Sequence, residues 1–457
     1  MRKYLFSARE LARISGGVWK NGSCGVSGVF TDTRKTGTGE LFAALAGERF
    51  DAHDFLEKAV AAGAAALCVR KNAAVPENIP VLEVDDTLAA YQALGRALRE
   101  RCAETRICAV TGSVGKTSVK EMLRAIFLAA CRGRKSQVAA TEGNTNNHIG
   151  VPQNLLKFKK TLKYAALELG SSAPGEISLL THLVLPQAAI VNSIAPCHIE
   201  NFLTLAGVAK EKGSIFEALQ PGGTAVIPYG LAETPILADA AGNRKKLFFG
   251  NSPECDVYSV YLGGNIHGSS FELHFPDKSS YVVSWALSGK HQAVNAAAAA
   301  AAAWSFGIAP EVIVSGLPKT TLPGMRCKIT RYRGATFIND AYNANPASMH
   351  AAFDYLKEFS DPAKLVLVLG GMRELGSGSE DFHEQLLKDA MEYFPGVRII
   401  AIGKEFTRLP ENGGIRSFET PESARSAVLE VIGCGDIVLA KGSRGSAVEL
   451  ALPEEAR

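Results

Sequence analysis

One eight-residue run limits what this chain can fold into. Thr111-Gly112-Ser113-Val114-Gly115-Lys116-Thr117-Ser118 stands between an apolar strand at 107–110 and a helix in which Val119, Met122, Leu123, Ile126, Phe127 and Ala130 share one stripe. A strand, a glycine turn and a striped helix pack only as part of an α/β sheet covered by helices. The two glycines leave backbone N–H groups uncovered at the helix N-terminus, where they can surround an anion such as phosphate. Lys116 supplies a cation for terminal phosphates, and the Thr117 hydroxyl is a hard ligand for Mg²⁺. The general nucleotide loop, GxxxxGKS or GxxxxGKT, needs glycine at position 110, where this chain has Val110. The loop alone does not separate a motor, a switch, a kinase and a ligase.

The remaining strands fix the domain plan. With 457 residues, a chain of this length is expected to form roughly three domains at about 150 residues each. Residues 1–86 alternate short strands (28–31, 40–44, 65–69, 81–84) with a helical run at 54–62, the pattern of a small α/β domain. A helix at 87–104, with Leu88, Tyr91, Leu94 and Leu98 in helical spacing, leads from it into a second region, 87–316. There the continuous apolarity of 164–169, 188–194 and 224–228 predicts a parallel sheet buried on both faces. The segments 271–275 and 281–287 alternate, as an antiparallel appendage does, and 289–306 reads as an alanine-rich helix. Strands at 335–339, 365–369, 398–402 and 437–440 make 317–457 a second doubly wound, Rossmann-like domain.

Composition narrows the partners. With 49 basic and 46 acidic residues the net charge is +3, which gives no electrostatic reason to expect nucleic acid or an anionic membrane. The nine cysteines contain no CxxC pair, which excludes a readable zinc knuckle or disulfide framework and fits a reducing cytosol. The N-terminal apolar patch is too short for a signal peptide, and the alanine run around Asn295 is too polar and small-sided for a membrane span. A cytoplasmic protein is expected.

Two further residues stand in the loop's neighbourhood. Glu168 ends an apolar strand, where its carboxylate would face the crevice at the strands' carboxyl ends and hold Mg²⁺. His198, after the next apolar strand, could face the same crevice. Either could instead be a structural residue.

Taken with Glu142-Gly143-Asn144-Thr145-Asn146-Asn147-His148, Glu168-Leu169-Gly170, Asn192-Ser193-Ile194 and His198-Ile199-Glu200, the loop resembles the Mur ligase family of ATP-dependent amide-forming enzymes. The resemblance runs the length of the chain. Thr31-Asp32-Thr33-Arg34 and the segment 40–47 resemble the family's uridine-nucleotide domain. Asp340-Ala341-Tyr342-Asn343-Ala344-Asn345-Pro346 and Lys441-Gly442-Ser443-Arg444 resemble the branch that joins D-alanyl-D-alanine to UDP-N-acetylmuramoyl-tripeptide.

The resemblance implies roles residue by residue. ATP would lie on Thr111, Gly112, Ser113, Val114, Gly115, Lys116, Thr117 and Ser118, with His291 and Asn295 at adenine, Arg326 reaching in from a hinge, and Asp340 at the ribose or hinge. One Mg²⁺ falls to Thr117 and Glu168. A second falls to His198 and a carbamylated Lys212, chosen over Lys210 by the following Gly-x-Ile-Phe. Thr31, Asp32, Thr33, Arg34, Asn146 and Asn147 are implied to bind the nucleotide-sugar peptide, and Tyr342, Asn343 and Asn345 to line the acceptor side. The chain departs from the family at Gln292, commonly asparagine, at Gly371, often aspartate, and at Ala52, usually glycine. The implied catalytic groups are Lys116, His198 and Lys212, acting in a monomer that closes its third domain over an acyl phosphate. A sister ligase, a folylpolyglutamate synthetase-like ligase and a nucleotide-binding module without turnover are the alternatives.

Overall fold

The computed structural model describes residues 4–47, 50–197, 199–407 and 414–457. His198 lies outside the described residues. Three sheets organise the described residues, of five, nine and six strands.

The first sheet runs Val18–Lys20, Val81–Val84, Ala66–Arg70, Leu41–Ala43, Val29–Phe30, parallel except for the first pair. Its three inner strands are largely buried on both faces, so successive residues enter different cores. Leu41 and Ala43 pack with Phe6, Leu11 and Tyr91, while Phe42 packs with Leu56, Leu67 and Val69.

The helix that leads from it into the second region packs on both. Thr87–Arg101, capped by the Asp86 carboxylate on Leu88 N and Ala89 N, is wedged between the first and second sheets. Ala90, Tyr91, Leu94 and Leu98 join one continuous core with Ile107, Val151, Leu167 and Ile177. Arg99 pins the junction: its guanidinium donates to Val184 O at 2.8 Å, Leu185 O at 3.0 Å and Cys102 O at 2.8 Å. These carbonyls include the unpaired end of helix Glu176–Val184, where a cation offsets the partial negative charge.

The second sheet runs Ser280–Trp285, Gly268–His274, Val257–Asn265, Lys245–Gly250, Thr224–Pro228, Ala188–Val191, Arg106–Thr111, Tyr164–Glu168, Val138–Ala140. From Val257–Asn265 onward in this order it is parallel, and the last two pairings toward Ser280–Trp285 are antiparallel. The predicted appendage is thus continuous with the main sheet. Strand Arg106–Thr111 sits where the chain first winds one way, to Val138–Ala140 and Tyr164–Glu168, and then crosses to Ala188–Val191. Ligand crevices in doubly wound sheets open at the carboxyl end of such a switch point.

Helix Lys290–Ser305 buries Ala293 and every residue from Ala296 to Ala303 completely. Alanine combines high helix propensity with a side chain too small to hold the helix off the sheet. The helix therefore lies closely against Lys116–Ala130 and the strands beneath.

The third sheet runs Lys328–Tyr332, Ala335–Asp340, Ile437–Lys441, Leu365–Gly370, Arg398–Ile402, Ile415–Phe418, with only its first pair antiparallel. Ile437–Lys441 enters between Ala335–Asp340 and Leu365–Gly370, which puts Asp340, Gly371 and Ser443 together at one crevice. Among the described residues no helix is long and apolar enough to cross a membrane.

Candidate active site

The phosphate loop rises from the end of Arg106–Thr111 and turns into helix Lys116–Ala130 through Gly115, whose φ is 80°. A Cβ on Gly115 would lie 2.4 Å from Asn192 Nδ2 and 2.9 Å from Asn295 Oδ1. Only glycine accepts both the left-handed backbone and that approach. The first helical hydrogen bond is donated by Val119 to Gly115 O at 3.0 Å, so the preceding amides of Lys116, Thr117 and Ser118 fall in the unpaired first turn. Ser113 N and Val114 N are already committed, to Ser193 O at 2.9 Å and Ser193 Oγ at 2.8 Å. Among the described residues, the loop amides without a backbone partner in this stretch therefore centre on the helix terminus. Lys116 Nζ donates to Gly112 O at 2.7 Å, folded over the loop it serves.

Next to the loop, Glu168 accepts from Thr117 Oγ1 at 2.9 Å and from Asn146 Nδ2 at 2.9 Å. Its backbone N–H donates to Thr141 Oγ1 at 2.9 Å. The carboxylate is 4% exposed and ends its strand facing the loop, as expected. A hydroxyl and a carboxylate in contact form a hard-oxygen pair that suits Mg²⁺, which takes few protein ligands and shares the rest with phosphates and water. Among the described residues no group of three His, Cys, Asp or Glu side chains forms a metal cage.

Lys212 is the other notable group. It is 1% exposed, and its Nζ donates to Ser171 Oγ at 2.7 Å and lies 5.5 Å from the Phe202 ring centre. Burial, reinforced by the charge of Lys116, lowers its pKa to about 8. Its neighbour Glu211 is tied down separately, accepting from Gly175 N at 2.7 Å and Ile177 N at 2.9 Å at a helix N-terminus.

At the expected adenine segment a relay of amides runs inward. Asn295 Oδ1 accepts from Asn192 Nδ2 at 2.9 Å, Asn192 Nδ2 also donates to Val114 O at 3.0 Å, and Asn295 Nδ2 donates to Gln292 Oε1 at 3.2 Å. Gln292, the departure noted in the sequence, thus holds Asn295. His291 is pushed down to about 4 by burial and is neutral at pH 7, within the fields of Asp340 and Lys441.

The third region reaches the crevice through two residues. Arg326 Nη2 donates to Thr117 Oγ1 at 3.2 Å, and its guanidinium carbon lies 3.5 Å from the centre of the Tyr342 ring. Tyr342 Oη donates to Asn144 Oδ1 at 3.2 Å. Asp340 forms a buried ion pair with Lys441 and accepts from Cys327 N at 3.2 Å. Asn343 Oδ1 accepts from Ala344 N at 2.9 Å, and Asn345 caps helix Pro346–Lys357 by accepting from Ser348 N at 2.9 Å. At Gly371 the neighbouring Glu405 carboxylate comes within 2.8 Å of where a Cβ would stand, and Glu405 pairs with Arg373 at 3.1 Å.

Thr31, Asp32 and Thr33 are half-buried and lead into a turn at which the exposed Arg34 bonds both Asp32 oxygens, at 2.8 and 2.9 Å. Among the described residues no hydrogen bond joins this turn to the crevice. Asn147 is spent locally, accepting from Gly150 N at 2.9 Å. Sequence reasoning missed Thr141, Asn144, Ser171, Asn192 and Ser193 as partners of the crevice. Asn192 and Ser193 had one available signal, their position directly after a buried strand.

The sequence matches the Mur ligase family, catalytic domain over residues 25–104, the Mur ligase middle domain over 110–303 and the Mur ligase glutamate ligase domain over 325–444. It is 37% identical to the UDP-N-acetylmuramoyl-tripeptide–D-alanyl-D-alanine ligase of Escherichia coli (strain K12), covering 96% of both chains. The structure is similar to MurF from Acinetobacter baumannii with a TM-score of 0.89 at 32% identity, over 98% of this chain and 97% of that one. It is also similar to the MurF ligase from Thermotoga maritima in complex with ADP, with a TM-score of 0.80 at 25% identity, over 93% and 95%.

Proposed function

The chain belongs to the Mur ligase family, and we propose that it joins D-alanyl-D-alanine to UDP-N-acetylmuramoyl-tripeptide at the expense of ATP. The observation that carries this reading is the junction beside Lys116 at which the Thr117 hydroxyl contacts both Glu168 and, from the third region, Arg326, with a buried, low-pKa lysine within the field of Lys116.

A carboxylate is a poor electrophile, because an amine attacking it would have to expel an oxide. Transfer of the γ-phosphoryl group to that carboxylate gives an acyl phosphate, whose leaving group is phosphate. The neutral dipeptide amine then attacks the acyl carbon, phosphate departs with the C–O electron pair, and the new amide nitrogen releases one proton to solvent. Bringing nucleotide and carboxylate together is opposed by like charge, so positioned cations and amides do most of the work. The helix-terminal amides of Lys116, Thr117 and Ser118 hold phosphate oxygens, and Lys116 offers its ammonium to the transferred group. Thr117 Oγ1 and Glu168 would hold Mg²⁺, which neutralises phosphate charge when bound. Asn146 keeps the Glu168 carboxylate aimed at that position.

Lys212 is assigned as a carbamate in the working enzyme, because a buried amine of lowered pKa reacts with CO₂ more readily than an ordinary ammonium. The carbamate and His198 would serve a second Mg²⁺. We further assign His291 and Asn295 to the adenine side, Asp340 to the ribose or hinge, Asn343 and Asn345 to the acceptor side, and the Thr31–Arg34 turn with Asn146 and Asn147 to the nucleotide-sugar peptide. The working division is 1–86, 87–316 and 317–457, in a cytoplasmic monomer.

Purified protein given ATP, Mg²⁺, UDP-N-acetylmuramoyl-tripeptide and D-alanyl-D-alanine should yield ADP and pentapeptide in equal amounts. ADP that forms without either substrate, or no pentapeptide, ends the reading. Running the assay with meso-diaminopimelate and lysine donors identifies the third residue.

A further inference from the structure

Six residues close a circuit across the junction between the second and third sheets. Glu168 accepts from Thr117, Thr117 accepts from Arg326, and Arg326 lies on the Tyr342 ring. Tyr342 donates to Asn144, and two residues along that loop Asn146 donates back to the other oxygen of Glu168. Tyr342 joins Arg326 on one side to the Asn144–Asn146 loop on the other. The family resemblance implies that it faces the acceptor. Its contacts lead instead to the phosphate crevice.

We propose that Tyr342 is a positioning residue for nucleotide chemistry, which aims Arg326 at the phosphate crevice and does not bind the acceptor dipeptide. This inference rests on the ligase reading above. Arg326 needs such a guide. It stands on a loop, and among the described residues its guanidinium bonds, apart from Thr117, only the Pro323 carbonyl three residues back, at 2.8 Å. A long side chain with many rotamers reaches one geometry reliably only if a surface restricts it. The ring face provides that surface and attracts the cation. The Tyr342 backbone is fixed too, its N–H donating to Met325 O at 3.2 Å, so ring and arginine move as one body with the third sheet. Docking of that body brings the cation to Thr117 and ties the Asn144–Asn146 loop that holds Glu168.

Steady-state kinetics of Tyr342→Phe, Tyr342→Leu, Arg326→Ala and the Arg326→Ala/Tyr342→Leu double variant test this. Phenylalanine keeps the face, so kcat should stay within about threefold of wild type, whereas leucine should lower kcat on the order of tenfold or more. The KM for D-alanyl-D-alanine should stay within about twofold for both. In the Arg326→Ala background the leucine change should add less than about twofold, because the two residues act as a unit. A raised KM for the dipeptide with kcat unchanged, or effects that multiply in the double variant, overturns the proposal. Tyr342→Phe removes only the hydroxyl that donates to Asn144 and keeps the test decisive if Tyr342→Leu is unstable. Wild-type protein that makes no pentapeptide defeats the ligase reading instead.

Discussion

Lys212 Nζ lies 2.7 Å from Ser171 Oγ, and that hydroxyl and the Ser171 carbonyl at 3.4 Å are its hydrogen-bond partners in a site where it is 1% exposed. An ammonium there is poorly solvated, and its pKa falls to about 8 from an ordinary 10.5. At pH 8 roughly half of such lysines are unprotonated, against well under about 1% for an exposed one. Carbamylation follows as an expectation. Lys212→Ala should lower ligation on the order of a hundredfold, and added short-chain carboxylate should restore part of it. Full activity in the variant would exclude the modification as a requirement.

Gly115→Ala should damage both stability and nucleotide binding. The new methyl would sit 2.4 Å from Asn192 Nδ2 on a backbone with φ of 80°. Such strain costs about 1–3 kcal/mol. Thermal melting should show the loss, and ATP titration by calorimetry should show weakening beyond it. Gly133→Ala provides the control, since no atom lies within 4 Å of its Cβ position although its φ is also positive.

Glu168→Gln removes one negative charge while keeping the side chain's shape. The two donors now on the carboxylate, Thr117 Oγ1 and Asn146 Nδ2, would meet an amide with a single acceptor. The Mg²⁺ concentration for half-maximal ADP formation should rise roughly tenfold, with kcat down on the order of a hundredfold. An unchanged Mg²⁺ requirement would remove Glu168 from the metal site.

His291 gives a pH dependence of known sign. Its folded pKa, about 4, lies below the ordinary 6.5 because the imidazole is buried. Between those values the unfolded chain binds a proton that the folded chain does not, so stability falls as pH drops from 6.5 toward 4 and levels off below. His291→Gln should flatten this part of the curve. Denaturant melts at pH 7, 6, 5 and 4 of both proteins measure it, and parallel curves would refute the assignment.

Much of the fold was legible because local chemistry repeats along the chain. Strands at 81–84, 224–228 and 398–402 were read to the residue, since short apolar runs between turns have one good use in a layered α/β protein. The strands Val138–Ala140 and Lys245–Gly250 escaped notice, because the first carries alanine-rich, half-buried residues and the second opens with two lysines. The sharing of one core by the first two sheets was also invisible. It depends on Arg99 meeting the end of a helix some 85 positions later, and no local pattern encodes that meeting.

The sequence by itself determined the identity of the chemical groups: two loop glycines, Lys116, Thr117 and a strand-ending Glu168, because each is dictated by its immediate neighbours. Only the tertiary structure decided their states. Lys212 looked like one of several charged helix lysines, and its low pKa comes from packing that excludes water. Asn295 was expected to face adenine, and its amide is engaged by Asn192 and Gln292. Tyr342 was expected at the acceptor, and its ring lies against Arg326, which reaches Thr117. Protonation, hydrogen-bond commitment and aim are set by distances between distant segments, which the order of residues specifies only through the completed fold.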